Sequence, residues 1–411
     1  MDFATSSHPG VQAQLDRLAA LSVPDGRLGL ETVRQLLARL GDPHKRVPPT
    51  FHVAGTNGKG STCAFLRAML EAEGYRVHVT TSPHLVRYNE RIRLAGKLIE
   101  DDHLAALLGE VLEQIDGLNP SFFEVTIAAA FLAFSREPAD ACVVEVGLGG
   151  RFDATNVLGP EVLAACGIAA LGIDHERFLL APEEGVPTEP MARIAFEKAG
   201  IAKKGVPLVT IAQRPLEMAA IRAVADRVGA PVTLACEAPD VPIALPGQHQ
   251  RVNAGLAAAM LRAQQLVPIA DAAIERGMAD ARWPARLQRL SSGPLTGRRE
   301  VWLDGGHNPS AGDALAKHFA GQRFHLIAGM IEGKNPAALT KPLADMFVSL
   351  SVVPVPAHDC YPAEAFGTGA RANPDVATAI AALPDDGLTV LIAGSLYLAG
   401  EVLRLNDQIP D

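Results

Sequence analysis

The sequence predicts an α/β protein of two domains, a large doubly wound one carrying a phosphate-binding loop and a smaller α/β one after it. Three observations predict this. Short apolar runs alternate with helical patterns from residue 51 onward, as in a parallel sheet wrapped by helices. The run 141–146, Ala-Cys-Val-Val-Glu-Val, is apolar but for one residue, which suits a strand covered on both faces. The alternation breaks over 283–299, where Pro284, Ser291-Ser292-Gly293-Pro294 and Gly297 gather, and then resumes. The predicted domains are therefore 1–290 and 291–411.

The elements follow in order. Residues 1–14 read as a loose tail, and 11–40 carry helical apolar spacing interrupted at Val23-Pro24-Asp25-Gly26. The run 51–54 reads as a strand, 62–72 as a helix stopped by Gly74, and 76–80 as the next strand. Residues 122–134 are apolar on nearly every side, which predicts a buried helix. Past the break, 301–303, 324–328, 348–353 and 388–393 read as strands. Between them, 311–319 and 374–383 read as helices, and 396–405 as a last one. There is no internal repeat.

Composition narrows the function. Hydrophobic residues make up 48 % and charged residues 20 % of the 411, enough apolar mass for more than one core. A net charge of −9 gives no global footprint for nucleic acid or an anionic membrane. The cysteines, Cys63, Cys142, Cys166, Cys236 and Cys360, are odd in number, far apart and never in C-x-x-C spacing. That argues against a disulfide framework or zinc site and for small buried hydrophobes in a reducing cytoplasm. The N-terminus lacks the basic and apolar regions of a secretion signal. Uncharged runs such as 162–173 fall short of the roughly 20 residues of a spanning helix. The expectation is a cytoplasmic protein with no membrane and no nucleic-acid partner.

The stretch Gly55-Thr56-Asn57-Gly58-Lys59-Gly60-Ser61-Thr62 lies between a strand and a helix. Glycines there let backbone N–H groups approach phosphate oxygens, and the helix N-terminus adds a favourable dipole. Lys59 supplies a mobile positive charge for the β- and γ-phosphates. The strict Walker pattern is not met, because Val53 stands where its first glycine belongs and Gly60 follows the lysine. Further on, Ser82 follows a predicted strand, where a hydroxyl can ligate a hard cation. Glu145 lies inside an apolar strand. A buried carboxylate costs several kcal/mol unless paired or metal-bound, and a magnesium ligand explains it better than a structural ion pair.

The loop resembles that of the Mur ligase superfamily, and its Gly-Ser ending is similar to the folate branch. Six further blocks extend the resemblance to the dihydrofolate synthase/folylpolyglutamate synthase family, bifunctional members included. They are Ser82-Pro83-His84-Leu85 with Glu90-Arg91; Glu145-Val146-Gly147-Leu148-Gly149-Gly150-Arg151-Phe152-Asp153-Ala154-Thr155-Asn156; Glu197-Lys198-Ala199-Gly200-Ile201; Gly247-Gln248-His249-Gln250-Arg251-Val252-Asn253; Trp283-Pro284-Ala285-Arg286; and Leu303-Asp304-Gly305-Gly306-His307-Asn308-Pro309. Gly394-Ser395-Leu396-Tyr397 matches the family's last block. The resemblance covers about 27 to 400, and its fold is a P-loop ATPase domain followed by a Rossmann-like α/β domain.

The resemblance implies an ATP-dependent ligase with two Mg²⁺ ions, held by Ser82, Glu145, His175 and a carbamylated Lys198. ATP would meet Thr56, Asn57, Gly58, Lys59, Gly60 and Ser61, with Asn253 on the adenine side and Arg286 and Asp304 beyond. His307 would line the cleft between the domains and join Lys59 in catalysis. The pterin substrate would meet Leu28, Gly29, Ser121, Phe122, Phe123, Glu124, Phe152, Asp153 and Ala154. The implied substrates are 7,8-dihydropteroate, reduced folates, L-glutamate and ATP, and the implied state is a monomer. The implied chemistry activates a carboxylate as an acyl phosphate, which the glutamate amine then attacks.

Three departures stand out: a long, acidic, Pro-rich stretch, 180–187, read as a surface loop; a run at 165–172 without the usual hydroxyls; and Arg27 ahead of Leu28-Gly29. Polyglutamylation alone, a cell-wall peptide ligase and a nucleotide-binding switch stay open as alternatives.

Overall fold

A computed structural model describes residues 4–21 and 29–411. Leu28 and Arg27 lie outside the described residues. The chain divides into two compact units.

The first unit is built on eight strands: β1 (Thr50–Ala54), β2 (Val77–Thr80), β3 (Ile92–Leu94), β4 (Lys97–Leu98), β5 (Ala141–Glu145), β6 (Leu163–Ile168), β7 (Leu208–Thr210) and β8 (Val232–Leu234). Their order is β4-β3-β2-β5-β1-β6-β7-β8. From β2 to β8 the pairing is parallel, and β3 and β4 form an antiparallel edge. The chain leaves β1 toward β2 on one side, then returns through β5 and crosses to β6 on the other. Connections diverge there, and the carboxyl ends of β1, β5 and β6 flank the crevice where doubly wound sheets bind ligands.

Burial follows the apolar pattern. Every residue of β1, β5 and β6 is buried, as a sheet covered on both faces requires. The helix predicted over 122–134 forms as Phe122–Arg136, with every residue from Val125 to Phe134 buried. It opens with a capping box. Ser121 Oγ accepts from Glu124 N at 3.2 Å, and Glu124 Oε2 accepts from Ser121 N at 2.8 Å. The helical spacing over 11–40 resolves into Pro9–Ala19 and Glu31–Arg39, so a helix occupies part of the predicted loose tail.

The second unit carries β9 (Gln288–Arg289), β10 (Val301–Asp304), β11 (Phe324–Ala328), β12 (Phe347–Val352), β13 (Arg371–Ala372) and β14 (Thr389–Ala393), ordered β13-β12-β11-β14-β10-β9. Only β9 runs antiparallel. Alternation along β14 fills both faces: Val390 and Ile392 join one apolar cluster, Leu391 and Ala393 another, as a period of two demands.

The units part between Arg282 and Trp283 rather than at 290/291, because β9 pairs with β10 and carries 283–290 into the second unit. That unit also takes 84–86 and 245–249; Leu85 and Val86 pack on its apolar cluster. Cys63, Cys142 and Cys166 are buried as expected, but Cys236 is exposed and Cys360 half-buried. Both lie outside the helix Lys59–Glu73 and the strands β5 and β6, which bury the others. Among the described residues no helix is long and apolar enough to cross a membrane.

Candidate active site

The phosphate loop leaves β1 through Gly55 and turns into the helix Lys59–Glu73 at Gly58, whose φ is +83°. A β-carbon at Gly58 would lie 2.3 Å from Asn253 Oδ1, so glycine is required there twice over, by backbone and by space. The N-cap of this helix is a glycine, which has no side chain to cap it, and the N–H groups that open a helix suit an anion. The loop is pinned from behind. Thr56 N and Asn57 N donate to Ala170 O at 2.8 and 3.0 Å, and Thr56 Oγ1 donates to Gly172 O at 2.9 Å. Asn253 Nδ2 donates to Gln250 Oε1 at 3.0 Å, which turns its oxygen toward Gly58. The structure thus sets the Asn253 amide against the phosphate loop.

Strand register brings the first two predicted metal ligands together. Thr80 of β2 is level with Val144 of β5, and Val53 of β1 with Glu145. Glu145 therefore ends its strand beside both the phosphate loop and the residues following β2. Its Oε2 accepts from Ser82 N at 3.2 Å, and it is only 5 % exposed. A carboxylate and a hydroxyl at the carboxyl ends of adjacent strands are hard oxygen donors, which fits Mg²⁺.

Lys198 lies in the last turn of the helix Pro190–Ala199 and is 4 % exposed. That helix end presses on the turn after β5: a β-carbon at Gly150 would fall 2.8 Å from Glu197 O and 2.9 Å from Lys198 O. Burial, and then the charge of Lys59, push the Lys198 amine down to about 7, against the pull of Asp174, Asp153 and Glu197. His175 has a left-handed backbone, donates its N–H to Asp174 Oδ1 at 2.8 Å, and leaves its ring largely exposed. Among the described residues no three His, Cys, Asp or Glu side chains converge as a preformed cation cage. Of the predicted ligands, Ser82 and Glu145 meet through a hydrogen bond, and Lys198 feels the charge of Asp174, the residue before His175.

The predicted substrate residues separate into roles. Ser121 and Glu124 are occupied with each other in the helix cap. Phe122 meets the Tyr88 ring edge-on at 5.8 Å, whereas Phe123 lies on Gly147, where a β-carbon would stand 2.4 Å from its ring. Asp153 is buried and held by Leu148 N at 2.8 Å, by Thr155 N at 3.0 Å and by the Thr155 hydroxyl. Burial raises its pKa, and those donors and the charge of Lys59 oppose the rise. His52, pushed down to about 3 by burial and by Lys203, is a neutral ring whose Nε2 shares a hydrogen bond of 2.8 Å with Thr155 Oγ1. Sequence reasoning passed over His52 and Thr155, although a histidine within an apolar strand was a signal. Ala154 is buried beside them and Gly29 is exposed.

In the second unit, Asp304 takes the N–H of Leu287 on Oδ2 at 2.8 Å and that of Gly306 on Oδ1 at 2.7 Å. It thereby holds the turn containing Arg286, where Ala285 and Leu287 have φ of +56° and +46°. The positive φ at Ala285 is one that glycine adopts freely and that costs an alanine about 1–2 kcal/mol. Arg286 Nη1 lies 3.1 Å from where a β-carbon of Gly305 would be, and His307 Nδ1 is 3.1 Å from Gly305 O. The structure thus gathers Arg286, Asp304 and His307 where the turn 285–287 meets the end of β10.

No family model matches the chain. The dihydrofolate synthase/folylpolyglutamate synthase of Bacillus subtilis is 34 % identical over 422 residues, covering 92 % of this chain and 94 % of the relative. The chain belongs to the dihydrofolate synthase/folylpolyglutamate synthase family. The dihydrofolate synthetase of Saccharomyces cerevisiae is 28 % identical and covers 92 % and 98 % of the two chains. Among solved structures of this family, E. coli FolC in complex with DHPP and ADP superposes with a TM-score of 0.83 at 28 % identity, covering 98 % of this chain and 99 % of that one. The bifunctional Yersinia pestis enzyme with Mn, AMPPNP and L-glutamate bound gives 0.82 at 28 % identity, with the same coverage. The two-domain α/β fold and the ATP-dependent, amide-forming activity are thus those of this family.

Proposed function

We propose that this chain joins L-glutamate to 7,8-dihydropteroate, forming dihydrofolate, and to reduced folates, forming folylpolyglutamates. ATP is the co-substrate, and two Mg²⁺ ions serve the site. The observation that carries this reading is the phosphate loop with Lys59 set beside Glu145 and Ser82 at adjacent strand ends. Family membership supplies the substrates.

The acceptor carboxylate attacks the γ-phosphorus of ATP, ADP leaves, and an acyl phosphate forms. The glutamate amine then adds to the acyl carbon, and phosphate leaves as the amide forms. Lys59 and the N–H groups opening its helix neutralise phosphate oxygens as charge shifts toward ADP. Glu145 and Ser82 would hold one Mg²⁺, and His175 and a carbamylated Lys198 the other; such ions draw charge from the phosphate oxygens. Phe123, Phe152, Asp153 and Ala154 would receive the acceptor, with Asp153 aimed by Thr155 and His52. Asn253, Arg286 and Asp304 would serve the nucleotide, and His307 the transfer step.

Phosphate release with Mg²⁺ and L-glutamate tests the reading, comparing 7,8-dihydropteroate with tetrahydrofolate. Turnover with both is expected. Turnover with tetrahydrofolate alone makes the enzyme a polyglutamylating one, and turnover with neither overturns the folate assignment.

The environment of Lys198 makes a separate prediction. Only a neutral amine captures CO₂, and a lysine pushed down to about 7 is largely neutral above that pH. Between about 7 and 10.5 the folded chain binds fewer protons at this site than the unfolded chain, so stability rises with pH through that window. A carbamate carbon signal from ¹³C-bicarbonate is expected, stronger at about pH 8 than about pH 6 and lost in Lys198→Met. Absence of that signal together with a fully active Lys198→Met enzyme removes the carbamate from the mechanism.

A further inference from the structure

The stretch 180–187, expected to be a plain surface loop, delivers one side chain inward. Glu183 Oε1 accepts from Arg151 Nη1 at 2.9 Å, and its Oε2 accepts from Arg151 Nη2 at 2.5 Å and Arg193 Nη2 at 2.8 Å. The adjacent edge of the Arg151 guanidinium is also occupied: Nε donates to Glu197 Oε2 at 3.1 Å and Nη2 to Glu197 Oε1 at 2.7 Å. Arg193 and Glu197, one helical turn apart, are 6 % and 5 % exposed at their side chains. Two arginines and two glutamates therefore alternate in a partly buried network, where bidentate pairs are stronger than exposed single ones. Arg151 and Arg193 hold the Glu183 carboxyl down to about 2, so it stays ionised at any working pH.

This network also orients an aromatic ring. The Arg151 guanidinium lies 4.2 Å from the centre of the Phe152 ring and 5.1 Å from that of Phe196. A planar guanidinium held by carboxylates on two edges is restrained from rotating, and a ring lying over it is restrained in turn. Without Glu183, Arg151 keeps Glu197 on one edge only, and its Nη1 loses the carboxylate it faces.

We propose that Glu183 is a positioning residue for the acyl-acceptor site: through Arg151 it sets the plane of Phe152 and so governs affinity for the pteroate-type acceptor. The inference rests on the reading that Phe152, Asp153 and Ala154 line that site.

The test compares Glu183→Gln and Glu183→Ala with the wild-type full chain, using steady-state kinetics for each substrate. The expected result is a KM for 7,8-dihydropteroate raised about tenfold in Glu183→Ala and less in Glu183→Gln, which keeps an acceptor oxygen for Arg151. kcat should stay within about threefold, and the KM values for ATP and L-glutamate should not move, since the bonds removed do not reach the phosphate loop. Glu184→Gln, at the exposed neighbouring carboxylate, should leave all constants unchanged. An unchanged dihydropteroate KM overturns the proposal. Equal effects on all three KM values, or loss of folding in both variants, also overturn it by making Glu183 a structural brace. If the wild type uses neither acceptor, the functional reading has failed instead.

Discussion

Lys59→Ala is expected to lower the ligation rate about 10³-fold, or roughly 4 kcal/mol of transition-state stabilisation, while the protein stays folded. Lys59 opens the helix Lys59–Glu73 directly after the loop, so its ammonium reaches phosphate oxygens that gain charge as ADP departs. In the free protein its attraction for the buried Asp153 carboxylate is opposed by two repulsions. A cation at a helix N-terminus opposes the helix dipole, and Lys59 also repels the buried Lys198. Alanine is a good helix former and removes both repulsions, so stability should hold or rise by about 0.5–1 kcal/mol. Phosphate-release assays and urea denaturation measure the two effects. Substantial residual ligation would sink the role given to the loop.

Glu145→Gln carries the second large effect. The amide keeps the carboxylate's shape and can still accept from Ser82 N, but it removes the negative charge a divalent cation needs. The expected outcome is a rate lowered about 10²- to 10³-fold at fixed Mg²⁺. The Mg²⁺ concentration for half-maximal activity should rise at least about tenfold, with part of the rate recovered at high Mg²⁺. A magnesium titration of initial rates separates ligation from mere positioning. Lost activity with an unshifted magnesium midpoint removes Glu145 from the metal site.

Parts of this site were legible because their chemistry is local in the chain. Strand, glycine, lysine and helix follow one another within 50–73, and Glu145 stands out as a carboxylate in an apolar run. Other signals were present but admit a different physical reading. Ser121 and Glu124 have the S-x-x-E spacing of a helix cap, and that is the use the fold makes of them. Arg286 was legible as a residue but not as a geometry. Only the fold shows that the Asp304 carboxylate holds the backbone of its turn, with left-handed residues on either side.

The sequence by itself determined the α/β class, the glycine-rich turn between strand and helix at Lys59, the buried helix after Ser121 and the alternation that fills both faces of the second sheet. Each follows from residues a few positions apart, where periods of 2 and 3.6 translate directly into faces. Tertiary structure alone decided that 84–86 and 245–249 join the second unit, that Asn253 abuts Gly58, and that burial beside Lys59 loosens the proton on Lys198. It alone brought Ser82 to Glu145 across 63 positions and Arg151 to Glu183 across 32. Contacts over such separations depend on strand order and register, and a pair of charges far apart in the chain leaves no periodic trace by which to foresee its meeting.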